Sequence, residues 1–135
     1  MRIIYVFLII FLSTKITYAG LEGKGDLQLS DNTVNSFIRY IKGDTSKGKA
    51  SRNKPLDFWV SSDGNHAAWW YCPFDRCLAS NGVEEKKACE KGTQYDCSRF
   101  AKGRYVRWAN GINPKGKKAK FSSKMTDNEI KSKLT

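Results

Sequence analysis

The sequence predicts a small single-domain α+β fold, in which antiparallel β-hairpins in ββαββ order follow an N-terminal helix and are stapled by disulfides. Three observations carry this expectation. Two pairs of short aromatic-rich segments each flank a glycine turn, at Asp63-Gly64 and at Lys102-Gly103. An apolar stripe of Val34, Phe37, Ile38 and Ile41 recurs at helical spacing. Four cysteines lie in a chain whose first residues read as an export signal.

That signal is MRIIYVFLIIFLSTKITYAG: a basic start at Arg2, an apolar run from Ile3 to Leu12, and small residues that place the cut after Ala19. The run falls short of the roughly 20 apolar residues that cross a bilayer, so residues 1–19 read as a cleaved signal peptide. The expected location is periplasmic or secreted, where disulfides persist.

The helix is expected within Leu27 to Gly43, with Ser30 or Asp31 as cap and Lys42-Gly43 as stop. Asp44 to Lys54 is small, polar and basic, and reads as a loop. Leu56 to Ser62 and Asn65 to Cys72 form the first hairpin. Period-two alternation puts His66, Ala68, Trp70 and Cys72 on one face of the second strand and Ala67, Trp69 and Tyr71 on the other. Both faces are aromatic, so each should be at least partly covered.

Val83 to Lys91 is rich in helix formers and stops at Gly92. Asp96 to Ala101 and Arg104 to Ala109 read as the second hairpin. The domain is therefore expected over residues 20–113, with 114–135 a basic and mostly flexible tail. Within it, Thr126 followed by Glu129 matches a capping box for a short helix that is marginal unless it docks.

The formal charge is +11, and removing residues 1–19 takes away Arg2 and Lys15 and no acid, leaving +9. From Lys102 onward ten basic residues face only Asp127 and Glu129. Such a charge speaks about partners and not about fold.

The stretch WWYCPFDRC sets three aromatic rings beside Cys72 and Cys77. Thioredoxin-like motifs place two residues between their cysteines, at a helix start; here four residues separate them after a strand, and the wider cysteine spacings match no common zinc site. The pairing expected is Cys72 with Cys77 and Cys89 with Cys97, each across a short turn. His66, six residues before Cys72 on one strand, lies about 20 Å from it and reads as a hairpin-end residue. The chain carries no G-x-S-x-G, phosphate loop or H-E-x-x-H. No catalytic residue, metal or cofactor is expected.

Tyr71-Cys72-Pro73 with Cys77, then Ala88-Cys89-Glu90, Cys97, Phe100-Ala101 and Trp108 make the pattern Y-C-P-x3-C, A-C-E, C-x2-F-A, W. Over residues 56–113 this resembles a group of uncharacterised small exported cysteine-paired proteins of alphaproteobacteria. The resemblance implies an exported, cysteine-paired α+β domain and no particular activity.

The function expected is a non-catalytic binding or interaction module for an acidic partner: an anionic lipid, glycan or protein of the envelope. Its candidate binding residues are Arg99, Arg104, Arg107, Trp108, Lys115, Lys117, Lys118 and Lys120, because arginine beside aromatic rings suits phosphate, carboxylate or sugar ligands. A structural envelope protein or small subunit of an envelope complex is the alternative; a subunit whose first helix packs on a partner would leave Phe37, Ile38 and Ile41 exposed in the isolated fold. A thiol-disulfide or hydrolytic enzyme ranks below both. Nucleic acid fits the charge but not the export signal.

Overall fold

A computed structural model describes residues 23, 25–43, 53–73, 82–108 and 119–134. The expected signal peptide and most of the expected 44–54 loop lie outside them. The described residues form a small α+β fold with a four-stranded antiparallel sheet and three helices. None of these helices is long and apolar enough to cross a membrane.

Helix α1 spans Asp31–Lys42. Ser30 caps it by accepting a hydrogen bond from the Thr33 N–H at 3.3 Å, and Gly43, at φ 82°, ends it in the left-handed conformation. Val34, Phe37, Ile38, Tyr40 and Ile41 are buried. Tyr40 lies outside the stripe that spacing suggests, and its hydroxyl donates to the Gly103 carbonyl at 2.6 Å. Burial, and then the charge of Asp57, pushes its phenol well above the ordinary value, so it remains a donor.

Strands β1 (Asn53–Ser61) and β2 (Ala67–Pro73) form the first hairpin; Asn53 and Lys54, expected in the preceding loop, belong to β1. At the turn, Gly64 has φ 76°, and a Cβ there would come within 1.9 Å of the Gln28 carbonyl oxygen. This close approach lets the Gly64 carbonyl accept from Ser30 N–H and from the Thr33 hydroxyl, tying the turn to the start of α1. His66 immediately precedes β2, its N–H donating to Ser61 Oγ at 3.0 Å.

Helix α2 (Val83–Glu90) carries the chain across to β3 (Cys97–Lys102), which pairs with β1, while β4 (Tyr105–Val106) pairs with β3. The sheet order is β2-β1-β3-β4. β4 is shorter than expected, and on its other edge Tyr105 bridges a distant segment, opposite Lys120.

The two sheet faces carry separate clusters, as the alternating aromatics of β2 require. The first holds α1, Phe58, Val60, Phe100 and Ala101, with Ala67, Trp69 and Tyr71 against them. Phe37 is its centre, edge-on to Phe58, Phe100 and Phe121 at 5.2, 5.2 and 5.1 Å. The second face holds Trp59, Cys89 and Cys97 with Ala68 and Trp70, beneath α2. A bulge reconciles the faces. Between Phe58 and Trp59 the β3 register slips, so Phe100 and Ala101 both join the first cluster, whereas Arg99 and Lys102 share the second face despite their odd spacing.

The tail expectation is corrected over residues 119–134. Phe121, Ile130 and Leu134 are buried in the first cluster at 2%, 0% and 3% exposure, and α3 (Asp127–Leu134) packs on α1. Thr126 caps this helix, accepting from Glu129 N–H at 3.1 Å, and Lys42 pairs with Asp127. The physical reason is that three apolar side chains at suitable spacing outweigh a polar composition once a groove exists to receive them.

Cys89 and Cys97 form a disulfide that joins α2 to β3. Cys72 is also disulfide-bonded, and Cys77, its expected partner, lies outside the described residues. Replacing Cys89 and Cys97 together by Ala should cost about 2–3 kcal/mol, read as a lower denaturant midpoint. An unchanged midpoint would mean that α2 is held by its other contacts alone, including Lys86, whose ammonium donates to the Cys97 carbonyl at 3.0 Å.

Candidate functional site

The second sheet face carries a row of directly opposed residues running across every strand: Trp70 on β2, Asp57 on β1, Lys102 on β3, Tyr105 on β4, and then Lys120. Opposed residues in antiparallel strands point to the same side, about 5 Å apart. The row begins under α2 and ends in solvent.

At the covered end, Asp57 is 2% exposed. Its carboxylate lies 3.1 Å from Arg99 Nε, a buried ion pair. The Arg99 guanidinium sits 5.1 Å from the centre of the Trp59 ring. Burial pushes the Asp57 carboxyl above the ordinary carboxylate value; Arg99 pulls it back, and Glu85 on α2 raises it again. Trp70, Glu84, Glu85 and Ala88 line a shallow recess of about 280 Å³ beside this pair.

At the open end α2 no longer covers the sheet. Lys102, Tyr105, Arg107 and Lys120 are all exposed, Tyr105 at 44%. Arg107 follows Tyr105 by two residues and so shares its face, while Val106 and Trp108 are buried on the other. The Lys120 ammonium lies 5.7 Å from the centre of the Tyr105 ring. None of the three cations on this half-face forms an ion pair among the described residues.

The residues that the sequence offers for binding are thus divided. Arg107 and Lys120 stand on the open half-face. Arg99 does not: it is 8% exposed and committed to Asp57. Trp108 is 4% exposed, its indole N–H donating to the Gly25 carbonyl at 2.9 Å, so its ring belongs to the core. Arg104 Nε donates to the Ile41 carbonyl at 3.1 Å, placing its charge at the C-terminal end of α1, where the helix dipole favours a cation. Lys115, Lys117 and Lys118 lie outside the described residues. Lys102 and Tyr105 complete the open set without having been singled out in the sequence; the alternation of Tyr105 and Arg107 against Val106 and Trp108 was the available signal.

Among the described residues no three His, Cys, Asp or Glu side chains come together in a way that could hold a metal ion. Compared with family models, with curated proteins and with solved structures, the chain matches none of them.

Proposed function

We propose that the protein is an exported, non-catalytic binding module that engages an anionic partner of the envelope through the open half of its second sheet face. The observation that carries this reading is the concentration there of Lys102, Arg107 and Lys120 around an exposed Tyr105, none of the three cations being in an ion pair among the described residues. The export part rests on the pattern of residues 1–19 and is consistent with the Cys89–Cys97 disulfide. Membership of the exported alphaproteobacterial group that the cysteine and aromatic pattern resembles belongs to the same proposal.

Burial of Phe37, Ile38 and Ile41 within the chain weighs against a subunit whose first helix needs a partner to cover it. The test is charge removal. Replacing Lys102, Arg107 and Lys120 together by Gln should lower the salt at which the protein leaves a carboxylate or phosphate resin and flatten the salt dependence of its binding, because fewer counterions are exchanged. Thermal stability should be unchanged, since these side chains are exposed. Retention that survives the triple change would remove this reading and leave a structural role.

A further inference from the structure

We infer that the ligand of this face is an acidic polysaccharide, lying across the Lys102–Tyr105–Lys120 row with a sugar ring against Tyr105. The inference rests on the anionic-partner reading and names its partner class. Strand spacing sets the arrangement: Lys102 and Lys120 stand on either side of Tyr105, each one strand away, so their backbones are about 10 Å apart. The cation, the aromatic and the second cation stand in a line across neighbouring strands, a spread longer than one small phosphate. They suit charges repeated along an extended chain.

Tyr105 gives the row its second chemistry. At 44% exposure it offers apolar ring surface and a hydroxyl together, which matches a sugar ring with its C–H face and its hydroxyl edge. Arg107, two residues beyond Tyr105 and just past the end of β4, about 7 Å away, presents a planar fork that grips a carboxylate in two places. A bilayer fits less well. Surface-bound proteins bury a group of apolar side chains at the headgroup boundary. The exposed large apolar residues among those described are Val83, Tyr95 and Tyr105, of which Tyr105 stands in this row. Single-stranded nucleic acid shares the cation-and-stacking chemistry, but an exported protein meets glycans in the envelope.

Titrations of the purified protein at about 0.15 M salt, the physiological ionic strength, test this. The probes are polygalacturonate, polyphosphate of matched charge, an oligothymidylate and vesicles of anionic phospholipid. The unmodified protein should bind polygalacturonate most tightly. Tyr105→Ala should weaken that binding about tenfold while leaving polyphosphate within about twofold, and Tyr105→Phe should retain most of it. Circular dichroism of each variant should match the parent. Tighter binding to the oligonucleotide or the vesicles overturns the polysaccharide inference, as does a Tyr105→Ala effect that is absent or equal for polygalacturonate and polyphosphate; in those cases the anionic reading stands. Failure to bind any of the four probes overturns both.

Discussion

Replacing Arg99 by Met should destabilise the protein by about 3–5 kcal/mol at neutral pH, because it leaves the Asp57 carboxylate buried without its counter-charge. The loss should shrink on acidification. The carboxyl of Asp57 already sits above its ordinary value in the fold, driven first by burial, and removing Arg99 raises it further. A folded-state value above the unfolded one means that the folded protein binds the proton more readily. Stability from this group therefore rises as pH falls through the folded value and declines as pH rises through it. Asp57→Asn should behave differently: Arg99 keeps its charge at every accessible pH, so its penalty should persist into acid.

The double replacement Asp57→Leu with Arg99→Met should recover most of the loss or exceed the parent, since two desolvated charges are exchanged for apolar contact with Trp59. Denaturant unfolding of the parent, both single variants and the double variant at neutral and acid pH measures the whole set. A pH-independent Arg99→Met penalty would refute the account of Asp57. Single variants as stable as the parent would show that water reaches the pair.

Ending the chain at Asn113 should abolish cooperative folding. The cut removes Phe121, Ile130 and Leu134, each buried against α1 or the sheet, and such side chains contribute about 2–5 kcal/mol apiece on truncation. Their sum reaches the roughly 5–15 kcal/mol margin of a small domain. Phe121 matters most, because its ring meets Phe37 at 5.1 Å and its N–H donates to the Arg104 carbonyl at 2.8 Å. The single change Phe121→Ala should cost about 3–5 kcal/mol. A shortened chain with the thermal midpoint of the full one would restore the view of residues 114–135 as an arm independent of the domain.

Much of the scaffold is legible from local pattern. Alternation on β2 separates Trp69 and Tyr71 from Trp70, and the two clusters divide along that line. The turn residues mark where the chain reverses, and the short spacing of Cys89 and Cys97 suits the bond they make. The open half-face was only partly legible. Arginine and tryptophan look alike in a sequence whether they face solvent or core, so Arg99, Arg104 and Trp108 read as surface when each had an internal partner.

What the sequence by itself determined is therefore what depends on neighbours within a turn or a strand: periodicity, caps, hairpin turns, the Cys89–Cys97 bond, and the excess of positive charge toward the C-terminus. What only the tertiary structure decided is which side chains meet across long separations. The β3 bulge turns Arg99 and Lys102 to the same face, the bridge from Tyr105 to Lys120 completes the open row, and Phe37 receives Phe121 from the segment that composition assigns to a tail. The physical reason is that register and docking are set by burial summed over the whole fold. A one-residue slip in a strand, or a groove formed by distant helices, changes which residues are exposed without changing any local pattern.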